Sequence, residues 1–143
     1  MLWAIGLLSL ALNLAGLTWG LPQRWHPDEK ADVVARMLHE GSLRPDSFIN
    51  PSLTLNVALP FVWIQQRAAG AGWLTGRAAD PLTVMRILAA CAGAAAVIVL
   101  GRASRSVHPR LGPWPAVLLA LSPGFVNLAH FATPEAWLVL GVA

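Results

Sequence analysis

The sequence predicts an all-α fold of several membrane-crossing helices, and three observations predict it. Hydrophobic residues make up 56% of the 143 positions and charged residues only 12%, about half the ~25% of an ordinary soluble domain. Mean hydropathy is +0.58. The apolar residues also gather into runs approaching the roughly 20 helical positions that cross a hydrocarbon core of about 30 Å. Disorder is excluded, because disordered chains are poor in apolar residues and rich in charge. Nucleic acid is not expected as a partner. The isoelectric point near 10.5 rests on a net charge of only +3, and the ten basic residues are spread along the chain instead of forming a patch. The single cysteine, Cys91, leaves no internal disulfide, and no Cys/His spacing marks a metal site.

Residues 1–21 form the first expected span. They carry no charged side chain and place Trp3 and Trp19 near the two ends, where interfacial tryptophans belong. They lack the basic start and small-x-small ending of a cleavable signal peptide, so the helix is read as uncleaved. A surface helix is expected over residues 27–40, with Pro27 suited to its start and Gly41 to its C-terminal cap. A spacing of four aligns Asp28, Asp32, Arg36 and Glu40 on one stripe. Glu29, Val33 and Met37 align on another, beside Val34 and Leu38.

Residues 53–64 are apolar but hold Asn56 and Pro60. A run of about a dozen is too short to span, so the helix over 52–66 is read as interfacial. Asp80 as N-cap and Pro81 at the first helical position open the second span, 81–101. Its middle, Ala89-Ala90-Cys91-Ala92-Gly93-Ala94-Ala95-Ala96, is almost all small residues that let neighbouring helices approach closely. The third span covers 113–130, with a bend at Ser122-Pro123-Gly124. A fourth helix starts at 134 and reaches only 143, too short to span.

Orientation follows from charge. The loop 102–112 holds Arg102, Arg105 and Arg110 and no acid, which makes it cytoplasmic by the positive-inside rule. The amino terminus is then cytoplasmic and loop 22–80 extracytoplasmic. Asp28, Glu29, Asp32, Glu40, Asp46 and Asp80 lie in or beside that loop, and Glu135 opens the fourth helix on the same side. Every carboxylate thus falls on one face, and any chemistry belongs there.

Two constellations could carry it. In Trp25-His26-Pro27-Asp28-Glu29, Asp28 points to the polar side of the surface helix and Glu29 begins the apolar side, so their surroundings should differ. In His130-Phe131-Ala132-Thr133-Pro134-Glu135-Ala136, one carboxylate stands at the membrane boundary. Both have a plain structural alternative, since acids in a first helical turn offset the helix dipole. Arg86, inside the second span, is costly there and is a functional candidate for that reason, although it lies close enough to the interface to snorkel. His39 and His108 read as solvated, and His26 and His130 as neighbours of the acids.

Taken in order, these motifs resemble the amino-terminal part of the polyprenol-phosphate-dependent membrane glycosyltransferases of the GT-C fold. The branch is that of the protein O-mannosyltransferases and aminoarabinose transferases. The resemblance rests on His-Pro-Asp-Glu in the first outer loop, a surface helix ending in Gly41, and Asn50-Pro51-Ser52-Leu53. It continues through Met85-Arg86-Ile87-Leu88, Leu121-Ser122-Pro123 and His-Phe-Ala-Thr-Pro-Glu. It covers essentially the whole chain but only the first helices of a longer architecture, so the chain is expected to be a fragment that does not catalyse alone.

The resemblance implies transfer of a sugar from a polyprenyl-phosphate donor to a protein, lipid or glycan acceptor on the extracytoplasmic face. Of the two membranes open to it, bacterial inner membrane and endoplasmic reticulum, the Ala-, Arg- and Trp-rich composition without Tyr favours the bacterial one. The resemblance also implies that an acid of the first outer loop acts as the catalytic base or orients the acceptor, a role that falls on Asp28 with Glu29 beside it. A second acid of the cavity is then Glu135, where the family more often has Asp. Ser52 stands where the family's pattern has a second proline. The lipid phosphate needs a cation, for which Arg86, Arg24 and Lys30 are candidates, with His26 nearby. Some relatives use a divalent metal and others do not, and no cofactor is required by these residues. Two other readings stand beside this one: a small non-enzymatic membrane protein or remnant, and a segment of a transporter, for which only the Ser122-Pro123-Gly124 bend speaks.

Overall fold

The computed structural model describes residues 1–23, 26–45, 52–111 and 113–143. Within them lie α1 (Leu2–Leu14), α2 (Ala31–Glu40), α3 (Ser52–Gly70), a 3-10 turn at Gly76–Ala79, α4 (Pro81–Val107), α5 (Pro113–Ala120), α6 (Pro123–His130) and α7 (Glu135–Val142). Among the described residues there is no strand. The chain is all-helical, and α4, with 27 residues, is long and apolar enough to cross a membrane by length and composition. The expected site residue Arg24 and the Asn50-Pro51 pair lie outside the described residues, as do Trp25 and Asp46.

The other elements pack around α4, which touches α1, α3, α5, α6 and α7. Its start is the expected one: the Asp80 carboxylate accepts the Leu82 amide at 2.9 Å, and Pro81 occupies the first turn. Its end is later than expected. No breaker interrupts the chain until Pro109, and the helix runs to Val107, so Arg102 and Arg105 ride on it and not in a loop. Only His108, the residue before that proline, turns extended. Along the middle of α4 the small residues do what small residues allow. Ala89, Ala90 and Ala96 are fully buried. A Cβ on Gly93 would stand 2.7 Å from Ala129 Cβ and 2.9 Å from Asn13 Nδ2, so α1 and α6 close on the backbone there.

Elsewhere the boundaries differ from the sequence expectation in instructive ways. α1 stops at Leu14 instead of 21, and the chain continues in turns with Gly16 and Gly20 at φ +74° and +76°. The bend expected near 122 is a full break: Ser122 leaves the helix, and its hydroxyl accepts the Phe125 amide at 3.5 Å to start α6. α2 starts at Ala31 instead of 27, which leaves Asp28 and Glu29 in the turn before it, but it ends as expected on Gly41 at φ +63°. Asp32 and Arg36 pair at 3.1 Å along its exposed stripe. α3 is longer than 52–66, running to Gly70 with Pro60 inside it. Val34 of α2, Val62 of α3 and Leu82 and Met85 of α4 form a buried cluster that packs α2 and α3 against the start of α4.

Candidate functional site

Arg86 lies one turn into α4 and is fully buried. Its partner is Glu29, from the turn ahead of α2, whose side chain is also fully buried. The pairing is forked: Nε donates to Oε1 at 2.6 Å and Nη2 to Oε2 at 2.8 Å. Nη1 donates to the carbonyls of Leu17 and Trp19, both at 2.8 Å. Four of the five N–H groups of an arginine are therefore used. Glu29 Oε1 also accepts the Ala132 amide at 3.0 Å. A buried ion pair is tolerated only when forked geometry and further hydrogen bonds offset its desolvation, and that is the arrangement here.

This pair explains where α1 ends. In a continued helix the carbonyls of Leu17 and Trp19 would be taken by amides four residues on. The turns through Gly16 and Gly20 leave them open to Arg86. One ion pair thereby fastens four stretches of chain: the turns after α1, the turn before α2, the first turns of α4 and the link between α6 and α7. The sequence put Arg86 forward as a cation for a phosphate and Glu29 as an acid beside the base. The structure joins these two residues to each other.

Around the pair stand the other candidates. Phe131 brings its ring centre to 5.4 Å from the Arg86 guanidinium and 4.8 Å from the His26 ring. His26 Nδ1 accepts the Asp28 amide at 3.3 Å, so an imidazole making that bond carries its proton on Nε2. The Asp28 carboxylate reaches to 3.9 Å from the same nitrogen and is half exposed. Asp28 and Glu29 are thus adjacent in sequence and opposite in surroundings. Lys30 folds back, its amine donating to the Pro27 carbonyl at 2.7 Å. Glu135 opens α7 three residues after the tethered Ala132, and its Oε2 is buried without a hydrogen-bond partner among the described residues. His130 Nδ1 sits 3.1 Å from the Asn13 carbonyl, which ties α6 to α1. Among the described residues no group of three or more His, Cys, Asp or Glu is placed to hold a metal ion.

No protein-family model, curated protein or solved structure matches the chain. The site is therefore read from its own chemistry. A half-exposed carboxylate is held beside an imidazole, on a base that a buried ion pair makes stiff, and such a carboxylate is suited to accept a proton from a bound hydroxyl. Sequence reasoning missed Phe131, Asn13 and the carbonyls of Leu17 and Trp19. The signal for the carbonyls was present, since Gly16 and Gly20 bracket them.

Proposed function

We propose that the chain is part of a multi-pass membrane glycosyltransferase of the GT-C kind. It would take a sugar from a polyprenyl-phosphate donor to a protein, lipid or glycan acceptor on the extracytoplasmic face. One observation carries this reading: three motifs of the family resemblance converge on a single point. His-Pro-Asp-Glu, Met-Arg-Ile-Leu and His-Phe-Ala-Thr-Pro-Glu are joined by the Glu29–Arg86 and Glu29–Ala132 bonds across 57 and 103 residues of sequence.

The membrane part rests on α4 and on the surface around it. Trp3, Leu7, Trp114, Leu118 and Leu138 on α1, α5 and α7 are all exposed, and such apolar surface calls for lipid or further helices. At 1.5 Å per residue α4 separates Arg86 from Arg105 by about 28 Å, close to a hydrocarbon core of about 30 Å. The site then stands at the outer boundary and the arginines of the 102–112 stretch at the inner one, as the positive-inside rule asks.

In this mechanism Asp28 takes the proton of the acceptor hydroxyl as its oxygen attacks the sugar, and the polyprenyl phosphate leaves. The Glu29–Arg86 pair acts through position, holding the Asp28 turn in place. With Arg86 turned inward, the leaving phosphate falls to Arg24 and Lys30. Glu135 supplies the second acid of the cavity. The test is sugar transfer from a labelled polyprenyl-phosphate donor in native membranes carrying Asp28→Asn. Loss of one general base costs roughly 10²–10⁴-fold, so transfer should fall at least about 100-fold with the amount of membrane-bound protein unchanged. Undiminished transfer by the variant would remove Asp28 from the chemistry and favour a non-enzymatic role for the chain.

A further inference from the structure

The excess charge of the chain is gathered at one end of α4. All seven carboxylates and the other seven cations of the sequence lie at or before position 86 or at Glu135, so the net charge of +3 is carried by Arg102, Arg105 and Arg110. All three are exposed, and among the described residues none has an ion-pair partner. Cations toward the other end are matched, Arg86 by Glu29 and Arg36 by Asp32.

The patch is also shaped. Arg102 holds its guanidinium 5.2 Å from the ring centre of Trp3, which is itself 64% exposed. Arg105 stands three positions further on and is therefore the neighbour of Arg102 on the helix surface. Arg110 follows in the turn that leads to α5, where Trp114 is exposed in turn. Ser104 and Ser106 donate their hydroxyls to the carbonyls of Leu100 and Ala103 at 2.7 and 2.6 Å, so the guanidinium groups are the donors this end presents. The helix dipole favours a cation in the last turn, but its reach ends there. Arg102 lies before that turn and Arg110 beyond it, so the dipole accounts for Arg105 alone.

We infer that this end of α4 binds the phosphate of an anionic phospholipid, shared between Arg102 and Arg105, with Arg110 adding charge beside it. Two adjacent guanidinium groups offer a phosphate several charge-assisted bonds. The exposed tryptophans at the same level are the side chains that settle among lipid headgroups, which makes the neighbouring anion a lipid and not a soluble polyanion. A choline headgroup brings its own cation to three unmatched arginines, whereas a phosphatidylglycerol headgroup brings only the phosphate. Such a site secures the end of α4 remote from the Glu29–Arg86 pair. This inference rests on the membrane part of the reading above and not on the sugar chemistry.

The experiment reconstitutes the full chain in nanodiscs of equimolar phosphatidylglycerol and phosphatidylcholine and releases it for native mass spectrometry. Both faces of such a disc carry the same lipids, so the direction of insertion does not alter the count. Phosphatidylglycerol should be retained at least about 5-fold over phosphatidylcholine, the effect of roughly one arginine beside an anionic surface. Arg102→Gln with Arg105→Gln should bring that ratio close to one, as should salt at about 1 M. Arg67→Gln, which removes an exposed cation stacked on Trp63 at 5.2 Å, should leave it unchanged. Equal retention of the two lipids by the parent overturns the inference. So does a preference that survives the double variant, or one that Arg67→Gln removes equally well. A chain washed out of membranes at alkaline pH overturns the membrane reading together with this one, and a chain that stays in the bilayer without headgroup preference overturns this one alone.

Discussion

Helix α4 is held in two different ways along its length. Near its start the fully buried Arg86 reaches Glu29, Leu17 and Trp19 through directed bonds of 2.6–2.8 Å. Two turns further on, at Gly93, the hold comes from missing side chains: α1 and α6 lie close enough that a single methyl would collide with Asn13 and Ala129. Polar bonding at this second place is sparse. Asn13 Nδ2 reaches the Ala90 carbonyl at 3.4 Å, while Ser9 Oγ and Asn13 Oδ1 are buried without partners among the described residues. The ion pair selects which stretches of chain meet, because only one geometry satisfies all its donors and acceptors. The seam sets how closely helices approach and is indifferent to which small residues form it. Selection lies at the end where the candidate site is, and closeness lies away from it.

That contrast can be broken by substitution. Arg86→Leu leaves the Glu29 carboxylate buried and unpaired, which costs roughly 3–5 kcal/mol. The helical signal in detergent should melt far below that of the parent, with Glu29→Leu in the same chain restoring part of the loss. Recovery should stay partial, because the carbonyls of Leu17 and Trp19 and the Ala132 amide remain without partners. If the single and double variants melt together, the ion pair is not what holds this end. Gly93→Ala overpacks the seam and should cost about 1–3 kcal/mol in the same melt. A cost as large as that of Arg86→Leu would erase the distinction between the two places.

Smaller effects sharpen it. Asp80→Ala removes the cap of α4 and should cost about 1 kcal/mol. Arg36→Ala breaks an ion pair whose members are 48% and 44% exposed, so the change should stay below about 0.5 kcal/mol and vanish in high salt. A larger change from Arg36 would mean that the exposed stripe of α2 is covered by something else.

Much of this could be read from the residues. The Asp80-Pro81 start, the Gly41 cap, the Asp32–Arg36 spacing and the small-residue middle of α4 are local patterns, and local geometry is set within one or two turns. The functional candidates were also legible as types: Asp28, Glu29, Arg86 and Glu135 stand out as charges in an apolar chain. What stayed hidden was who meets whom. Nothing within reach of Arg86 in sequence indicates that its partner is Glu29, 57 residues earlier, or that the same carboxylate takes the amide of Ala132, 103 residues later. The early end of α1 was only half legible. Gly16 and Gly20 mark residues 15–20 as able to leave the helix, but only the contact with Arg86 shows what their carbonyls are left open for.

By itself, then, the sequence determined that this protein is helical, where most helices begin, and which few charges an apolar chain retains. These are consequences of propensity, capping and composition, all of which act over short range. Only the tertiary structure decided that Glu29 is sealed against Arg86 while its neighbour Asp28 stays half in solvent. The reason is physical: a buried charge persists only where a matching charge and several hydrogen bonds reach it at once, and those partners come from stretches that the sequence alone keeps far apart.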